Sequence, residues 1–500
     1  MNDNVFDILE AGAPAGRVAL ADEGGRDMTR GELFGRARRI AGALVALGVA
    51  PGDRVAAQID KFPDGVALYL GCLAAGAALL PLNVAYTGAE LDHFLRDATP
   101  KLFLCRPSSL DAMRALGAAA GVARVESFGD GAGSFLALVE AAREIASVPR
   151  GAHDLAAILY TSGTTGRSKG AMITHDNLSS NARALVAAWR FTDSDVLIHA
   201  LPIFHVHGLF VALNVALLSG ARIDFQRKFD ADAVVAALPR ATCLMGVPTF
   251  YVRLLDHPGF TREAAAHMRL FVSGSAPLLA ETHREFSART GHAILERYGM
   301  TETGMIASNP YDGARVPGAV GFPLSGIAVR IADSEGRALA DGETGVIEVR
   351  GPNVFKGYWN MPEKTAAEFR DGGWFVTGDV GTVGPDGHLR IVGRAKDLVI
   401  SGGFNVYPKE IEEEIDALPG VLESAVIGLP HRDFGEGVTA IVVARPGATL
   451  DEAAILAAVA PRLAAFKRPK RALIVADLPR NAMGKVQKAE LRRTHAGLYG

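Results

Sequence analysis

Short apolar runs alternate with helix-compatible segments over the first two-thirds of the chain, and this alternation limits the fold more than any other feature. A helix is predicted at 65–77, between two of the runs. The runs themselves have the length of buried strands. Strands are predicted at 54–59, 101–105, 155–159, 196–201, 242–247 and 270–273. Such alternation is typical of layered α/β architecture with largely parallel sheets.

The pattern changes at about residue 327. Segments 329–350 and 374–392 are strand-rich, with turn signals at 334–336 and 385–387, which predicts a smaller antiparallel β unit at about 325–394. After 393–397 the pattern becomes mixed. Helices are predicted from Pro408 and from Asp451, and strands at 425–427, 438–443 and 472–476.

Five hundred residues are too many for one hydrophobic core, so more than one domain is expected. We predict an α/β protein with a large N-terminal body at 1–394, made of layered α/β subdomains plus the small β unit. A small C-terminal α+β domain is predicted at 395–500.

The composition argues against two classes of partner. A formal net charge of -3 gives no electrostatic case for a nucleic-acid partner, which would need a basic patch. The most apolar stretch, 66–82, contains Pro81 and is shorter than the roughly 20 residues of a membrane helix. Residues 1–11 lack the basic region and apolar run of a signal peptide, and the cysteines have no metal-ligand spacing. We therefore expect a cytoplasmic protein with no nucleic-acid or membrane partner.

A glycine- and hydroxyl-rich segment at 160–170 follows the predicted strand at 155–159. Its three glycines allow the backbone to approach an anion. Its five Ser/Thr hydroxyls and its backbone amides can donate to phosphate oxygens, and Lys169 adds a positive charge. Only two residues separate Gly163 from Gly166, and Gly170 follows Lys169, so the segment is not a Walker A loop. It predicts a phosphate site of another kind. The predicted phosphate-binding residues are Thr161, Ser162, Gly163, Thr164, Thr165, Gly166 and Lys169.

At this segment the chain resembles the adenylate-forming superfamily, which includes acyl-CoA synthetases, firefly luciferases and peptide-synthetase adenylation domains. Further motifs of the family follow in the family's order at 274–277, 298–302, 377–379, 393–394 and 479–485. The resemblance implies an acid–thiol ligase. Such an enzyme uses ATP to adenylate a carboxylate and then transfers the acyl group to coenzyme A.

The resemblance also implies roles for the nucleotide residues. Thr301 and Glu302 are expected at the α-phosphate and Mg²⁺, with Thr161 as a second metal ligand, because an acid beside polyphosphate needs an intervening cation. Asp379 is expected to bind the ribose hydroxyls, with Arg394 nearby. The residues expected to flank the adenine are Gly274, Ser275, Ala276, Pro277, Tyr298 and Gly299.

Three implied roles concern the C-terminal domain. In the family a lysine at the position of Lys485 bridges the attacking carboxylate and the α-phosphate, so Lys485 is the predicted catalytic residue for adenylation. The domain is expected to be mobile and to rotate about Lys396, which brings Gly402 and Gly403 to the coenzyme A thiol. The lysine at the position of Lys485 is an acetylation target in some relatives, so an acetyltransferase and a deacetylase are candidate partners at Lys485.

The acyl site is expected to bind a small dicarboxylate. Arg297 precedes the motif at 298–302, and Arg253 lies on a segment that borders the acyl site in the family. A buried guanidinium is costly without a partner, so both arginines predict a bound anion unless each pairs with an acid such as Glu296. His205 and His207 are expected to line the same channel, with His205 in the catalytic site.

This combination is similar to malonyl-CoA synthetases. It implies that malonate, ATP and CoA yield malonyl-CoA, AMP and diphosphate, with methylmalonate as a candidate second substrate. Other interpretations remain open. They are a short-chain or aryl monocarboxylate–CoA ligase, an enzyme that loads a carrier protein, a luciferase-like oxygenase, and a non-catalytic nucleotide-binding protein.

Overall fold

A computed structural model describes residues 2–161, 168–481 and 484–499. The helices are α1 Val5–Glu10, α2 Arg30–Ala46, α3 Pro63–Ala74, α4 Gly88–Ala98, α5 Leu110–Ala119, α6 Ser134–Ala141, α7 His175–Trp189, α8 Leu213–Ser219, α9 Ala231–Ala237, α10 Pro248–Asp256, α11 Ala280–Thr290, α12 Pro362–Ala367, α13 Pro408–Asp416, α14 Glu452–Val459 and α15 Lys488–Thr494. The strands are β1 Val18–Asp22, β2 Asp27–Thr29, β3 Arg54–Gln58, β4 Ala78–Pro81, β5 Leu102–Cys105, β6 Val125–Ser127, β7 Leu155–Thr161, β8 Lys169–Thr174, β9 Val196–His199, β10 Arg222–Phe225, β11 Cys243–Gly246, β12 Leu270–Ser273, β13 Leu295–Met300, β14 Gly304–Ser308, β15 Ala319–Pro323, β16 Ala328–Ala332, β17 Gly345–Arg350, β18 Phe369–Arg370, β19 Trp374–Val383, β20 Leu389–Arg394, β21 Val399–Ser401, β22 Phe404–Val406, β23 Val421–His431, β24 Gly435–Ala444 and β25 Arg471–Val475.

The first sheet of the N-terminal body has the order β6-β5-β3-β4-β7-β8. Its strands run parallel except for β8, which returns antiparallel to β7 and pairs Lys169 with Thr161. Strands β4 and β5 are buried along their whole length, as expected when helices cover both faces of a parallel sheet. The segment at 160–170 therefore connects the last two strands of this sheet.

Helix boundaries follow local capping chemistry. Thr29 and Glu32 form a capping box at the start of α2, and Thr87 and Glu90 form another at α4. Each box satisfies backbone amides that the first helical turn leaves without partners. Helix α3 has almost no exposed face, so the apolar stretch at 66–82 is a buried helix followed by strand β4.

The second sheet is larger, and its strand pairing changes from parallel to antiparallel across its width. Strands β1, β10, β9, β11, β12 and β13 are parallel neighbours, and β14 to β20 continue the same sheet in antiparallel fashion. The antiparallel unit expected at 325–394 thus starts earlier, at β14, and is joined to the parallel part through β13. Since β13 belongs to both parts, residues at its end lie at their junction.

The C-terminal domain has a sheet of order β22-β21-β24-β23, with β25 parallel to β24. Apolar residues of α13 and α14 pack on this sheet around Val426, Val442 and Ile455. The domain contacts the body through an ion pair of 2.7 Å between Arg445 and Glu281. The α/β fold class, with a large body and a smaller C-terminal domain, is confirmed. None of the helices in the described part of the chain combines the length and the hydrophobicity that a membrane-spanning helix needs.

Candidate active site

Four adjacent parallel strands of the second sheet end at one place. Their order is β13-β12-β11-β9, and ligands of open α/β sheets bind beyond the carboxyl ends of the strands. The segments that follow these strands contain most of the predicted site. Beyond β9 lie His205 and His207, beyond β11 lies Arg253, beyond β12 lie Gly274, Ser275, Ala276 and Pro277, and on or beyond β13 lie Arg297, Tyr298, Gly299, Thr301 and Glu302.

A hydrogen-bonded group is formed by Tyr298, Asp379 and Arg394. The Tyr298 hydroxyl donates to Asp379 Oδ2 at 2.5 Å, and Arg394 Nε lies 2.7 Å from Oδ1. Asp379 and Arg394 are paired across strands β19 and β20. Burial, and then the Asp379 charge, hold the pKa of Tyr298 well above its usual value. The carboxylate expected at the ribose is therefore fixed in position by two partners.

A glycine-dependent bulge and a strained serine shape the same region. A β-bulge separates Tyr298 from Gly299, and a Cβ at Gly299 would lie 2.1 Å from the Gly304 carbonyl oxygen. Ser275 has a φ of 71° in the loop after β12, which any residue other than glycine adopts only under strain. Ala276 and Pro277 continue this loop toward solvent.

The phosphate region is described on both sides of the 162–167 segment. Thr161 Oγ1 donates to Glu302 Oε1 at 3.3 Å. Lys169 Nζ lies 3.1 Å from Glu368 Oε1 and 4.3 Å from the centre of the Tyr358 ring. The expected phosphate contacts of Ser162, Gly163, Thr164, Thr165 and Gly166 lie outside the described residues.

Glu302 provides a test of whether these residues fit Mg²⁺. Its carboxylate is buried, and its side-chain partners are the hydroxyls of Thr161 and of Tyr358, the latter at 3.1 Å. Burial raises the pKa of Glu302. A buried carboxylate with neutral partners fits a cation, and Mg²⁺ commonly takes one or two protein oxygens beside substrate phosphates. Thr301 lies in the same turn and lines a small interior cavity.

Arg297 is buried, and two of its side-chain nitrogens have no partner within the described part of the chain. Its side chain is 4% exposed, and among the described residues Nε and Nη2 have no hydrogen-bond partner. A Cβ at Gly274 would lie 2.3 Å from Arg297 Cζ, so the guanidinium lies directly against the Gly274 backbone. Burial lowers the pKa of Arg297 to about 9, and the group remains charged at neutral pH.

The expected alternative, a salt bridge between Arg297 and Glu296, is not present within the described ranges. Successive strand residues point to opposite faces, and Glu296 accepts a hydrogen bond from the Gly318 amide at 3.1 Å. Burial raises the pKa of Glu296 to about 8. The Arg297 charge is therefore available to a ligand.

Other polar groups without partners lie near Arg297. His207 is 1% exposed, and its Nε2, like Ser273 Oγ, has no partner among the described residues. Ser275 Oγ lies 3.2 Å from His207 Nδ1. Burial, and then the Arg297 charge, lower the pKa of His207 well below its usual value and that of His205 to about 4. Both imidazoles are therefore neutral at pH 7.

A buried lysine stabilises the turn that carries His207. The turn is π-helical, at His207–Ala212. Lys61 Nζ contacts His199 Nδ1 at 2.8 Å and the carbonyl oxygens of His199 and Gln226, and His199 Nε2 contacts the Gly208 carbonyl at 2.9 Å. This network links the end of β9 to the residue that follows His207. It fixes the backbone beside the imidazole.

The burial expected for Arg253 is wrong. The residue is exposed, because Tyr251, Leu254 and Leu255 form the buried face of α10 and Arg253 lies outside that face. It lies one turn after Thr249 on the same side of the helix. A Cβ at Gly484 would lie 3.4 Å from Thr249 Cγ2, so Arg253 is on the side of α10 that faces the C-terminal loop.

Residues 9–359 match the family model of AMP-binding enzymes, and residues 410–485 match that of the AMP-binding enzyme C-terminal domain. The chain belongs to the AMP-binding enzyme family. The expected membership of the adenylate-forming superfamily is thereby confirmed.

Several members of this family are similar over nearly the whole chain. Feruloyl-CoA synthase from Amycolatopsis sp is 38% identical over 474 residues, which cover 94% of each chain. Malonate–CoA ligase from Arabidopsis thaliana is 34% identical over 537 residues, which cover 97% of this chain and 87% of the relative. The crystal structure of ATP-bound MatB from Rhodopseudomonas palustris is 57% identical, covers 100% of both chains and has a TM-score of 0.98. This AMP-binding enzyme is an AMP-forming acyl-CoA synthetase, with ATP and CoA as substrates.

The two domains of this AMP-binding enzyme are arranged as in the ATP-bound relative. The apo crystal structure of the same MatB, at the same 57% identity, has a lower TM-score of 0.87. Lys485 follows Gly484 in the loop beside α10 and interacts electrostatically with Arg394 and Asp379. The Lys485 side chain is exposed, although protein atoms surround it on several sides. This burial, and then the Arg394 charge, lower the pKa of Lys485 to about 8.

The residues expected at the hinge and on the CoA side lie at the start of the C-terminal domain of this AMP-binding enzyme. Gly402 and Gly403, with φ of 59° and 81°, form the exposed two-residue turn between β21 and β22. Both positions need positive φ, which glycine adopts without strain. Lys396 is exposed in the short turn after β20.

Three residues of the site lie outside the sequence motifs that predicted the rest of it. Ser273 ends β12, and Tyr358 and Glu368 flank α12 in the antiparallel part of the chain. Tyr358 contacts both Glu302 and Glu368 through its hydroxyl. A tyrosine after Gly357 and a glutamate after a short helix are common patterns, so sequence alone offered no signal for them.

Proposed function

We propose that this acyl-CoA synthetase is a malonate–CoA ligase, which forms malonyl-CoA, AMP and diphosphate through a malonyl-adenylate. The observation that carries the proposal is the buried, unpartnered guanidinium of Arg297. Leaving a buried charge unpaired is costly, and a carboxylate can satisfy both free nitrogens of the guanidinium. A monocarboxylic acid would use its only carboxylate in the reaction and leave Arg297 unpaired.

The position of Arg297 also supports a short substrate. Its guanidinium lies against Gly274, at the start of the loop that is expected to flank the nucleotide. Arg297 directly precedes Tyr298, which contacts the predicted ribose-binding carboxylate. A substrate that contacts both Arg297 and the α-phosphate must therefore hold its two carboxylates close together. Malonate, with one carbon between them, meets this requirement, and methylmalonate adds only a methyl group.

In the proposed first half-reaction, a malonate carboxylate oxygen attacks the α-phosphorus of ATP, and diphosphate leaves. Arg297 holds the distal carboxylate, with His207 Nε2 and Ser273 Oγ as additional polar contacts. Lys485 stabilises negative charge on the attacking carboxylate and the α-phosphate. Glu302 and Thr161 are the proposed Mg²⁺ ligands, and the ion would neutralise charge on the phosphate oxygens when bound.

In the proposed second half-reaction, the CoA thiol attacks the acyl carbon, and AMP leaves. The C-terminal domain would rotate about Lys396, which withdraws Lys485 and brings Gly402 and Gly403 to the thiol. Acetylation of Lys485 would remove the charge that the first half-reaction needs. Its contact with solvent supports access for an acetyltransferase and a deacetylase.

The test is a substrate panel. AMP formation is measured with malonate, methylmalonate, acetate, succinate and benzoate, with and without CoA. We expect the highest kcat/KM with malonate and CoA-dependent thioester formation. Preference for acetate or benzoate would contradict the dicarboxylate proposal and favour a monocarboxylate–CoA ligase. Acyl-adenylate and diphosphate formation in the absence of CoA, followed by release of AMP when the acyl group is transferred to the thiol of a carrier protein, would indicate a loading enzyme.

A further inference from the structure

Two lysines share one carboxylate oxygen beside the phosphate region. Lys169 Nζ lies 3.1 Å from Glu368 Oε1, and Lys364 Nζ lies 2.8 Å from the same atom. The other oxygen, Oε2, accepts a hydrogen bond of 2.7 Å from the Tyr358 hydroxyl. Glu368 thus has three partners, and it keeps two of them if Lys169 leaves.

The two lysines differ in exposure. The Lys169 side chain is 12% exposed, and the Lys364 side chain is 41% exposed. Lys364 lies four residues before Glu368 in the sequence, which is about one helical turn. Lys169 is therefore held in a defined position, by the carboxylate on one side and by the Tyr358 ring 4.3 Å away on the other. Lys364 can remain paired with Glu368 whatever Lys169 does.

Because Lys169 lies beside the predicted phosphate-binding segment, its pairing with Glu368 affects how strongly it can attract ATP. Lys169 is paired with Thr161 at the two ends of the 162–167 segment. Thr161 in turn contacts Glu302, and Glu302 contacts the Tyr358 hydroxyl. A carboxylate that is paired with a lysine weakens the attraction of that lysine for a phosphate, since the two anions compete for one ammonium group.

We propose that Glu368 is a positioning residue that holds Lys169 beside Tyr358 and gives it up to the ATP phosphates when ATP binds, while Lys364 stays paired with Glu368. The inference rests on the proposed function and on the predicted contact between Lys169 and the ATP phosphates. The exchange involves no proton transfer or covalent step. It replaces one ion pair of Lys169 by another and leaves no charge without a partner.

The proposal predicts opposite effects for two neighbouring substitutions. Glu368→Gln keeps the shape and the Tyr358 contact but removes the competing charge, so the Kd for Mg²⁺-ATP should fall about three- to tenfold. Lys364→Met leaves Glu368 with Lys169 as its one lysine partner, so the Kd should rise by about the same factor. Calorimetric titration of each folded variant with Mg²⁺-ATP, without acid or CoA, gives both values.

Double variants separate exchange from a general change of charge. In a Lys169→Met background, Glu368→Gln should no longer lower the Kd, and in a Glu368→Gln background, Lys364→Met should no longer raise it. Steady-state kinetics should show the change in the KM for ATP and none in the KM for the acid or for CoA. Persistence of either single effect in its double variant would overturn the exchange.

Lys169→Met alone distinguishes the two possible failures. If it raises the Kd for ATP while Glu368→Gln leaves the Kd unchanged or raises it, Lys169 binds ATP and the role of Glu368 is refuted. If Lys169→Met leaves the Kd unchanged, the proposed ATP contact of Lys169 is itself refuted. Thermal unfolding of every variant shows whether a change in Kd comes from a folded protein.

Discussion

The nucleotide side and the acyl side of the site differ in how their polar groups are satisfied. On the nucleotide side, Asp379 has both carboxylate oxygens occupied, by Tyr298 and by Arg394. On the acyl side, Arg297 and His207 are equally buried, yet within the described part of the chain each has side-chain nitrogens without partners. The first side is complete before a ligand arrives, and the second is not.

This difference shows what each side can reveal about its ligand. A satisfied network fixes the direction of its acceptors and can accept further hydrogen bonds from neutral hydroxyls, so it says little about the charge of the ligand. A buried cation without a partner costs free energy until an anion binds. Under the proposed function, the acyl side therefore specifies the charge of the substrate, whereas the identity of the nucleotide follows from the family.

Lys485→Ala tests the group that serves both sides, and the largest effect is expected there. Loss of the ammonium group should slow adenylate formation on the order of 10²- to 10³-fold, because the charge stabilises the transition state rather than either substrate. The loss should be the same for every acid. Diphosphate release in a single turnover measures it.

The matched control uses malonyl-adenylate that is supplied to the variant together with CoA. Thioester formation should continue at the wild-type rate, since Lys485 is proposed to act in the first half-reaction alone. Equal loss in both half-reactions would contradict the proposal that domain rotation withdraws Lys485 before the second half-reaction. A loss that depends on the acid would mean that Lys485 belongs to the acyl side.

Arg297→Met should separate the two sides most clearly. The kcat/KM for malonate should fall about 10²- to 10³-fold, as expected when one partner of a buried charge pair is removed. The KM for ATP should stay unchanged, and activity with short monocarboxylates should rise relative to malonate. Arg284, which is exposed on α11, provides a control for the loss of an arginine. Unchanged malonate kinetics in Arg297→Met would refute the dicarboxylate assignment.

The same contrast explains how far the sequence could predict the molecule. Strand 270–273 and the helix at 65–77 follow from local apolar patterns, and the structure has them at Leu270–Ser273 and Pro63–Ala74. The surroundings of Arg297 could not be predicted in this way. Its neighbours Gly274 and His207 come from other strand ends, and Glu296 is adjacent in sequence but lies on the opposite face of β13.

The surroundings of Arg253 and Glu368 also could not be predicted from the sequence. The exposure of Arg253 depends on which face of α10 is buried, which the packing of Tyr251 and Leu254 determines. The contact of Glu368 with Lys169 joins residues 199 positions apart. Motifs located the strand ends that form the site, but only the packed chain shows which charges have partners.

The pH dependence of adenylation should reflect Lys485. Burial and the Arg394 charge lower its pKa to about 8, and the charged form is the one that acts. The kcat/KM should therefore be constant below about pH 8 and fall about tenfold per unit above it. In Lys485→Arg the fall should move to higher pH, since a guanidinium keeps its proton. A fall at an unchanged pH in this variant would assign the titration to another group.

Tyr298→Phe is expected to have the smallest effect and tests whether the nucleotide side is independent of the acyl side. The variant removes the hydrogen bond to Asp379 Oδ2, but Arg394 still holds Oδ1 at 2.7 Å. Loss of one such contact, with the other retained, should raise the KM for ATP about fivefold. Tyr298 is also the neighbour of Arg297 on β13, so a change in backbone position would affect malonate as well. A KM for malonate that stays constant while that for ATP rises would mean that the satisfied network acts on the nucleotide alone, and a parallel rise in both would show that β13 couples the two sides.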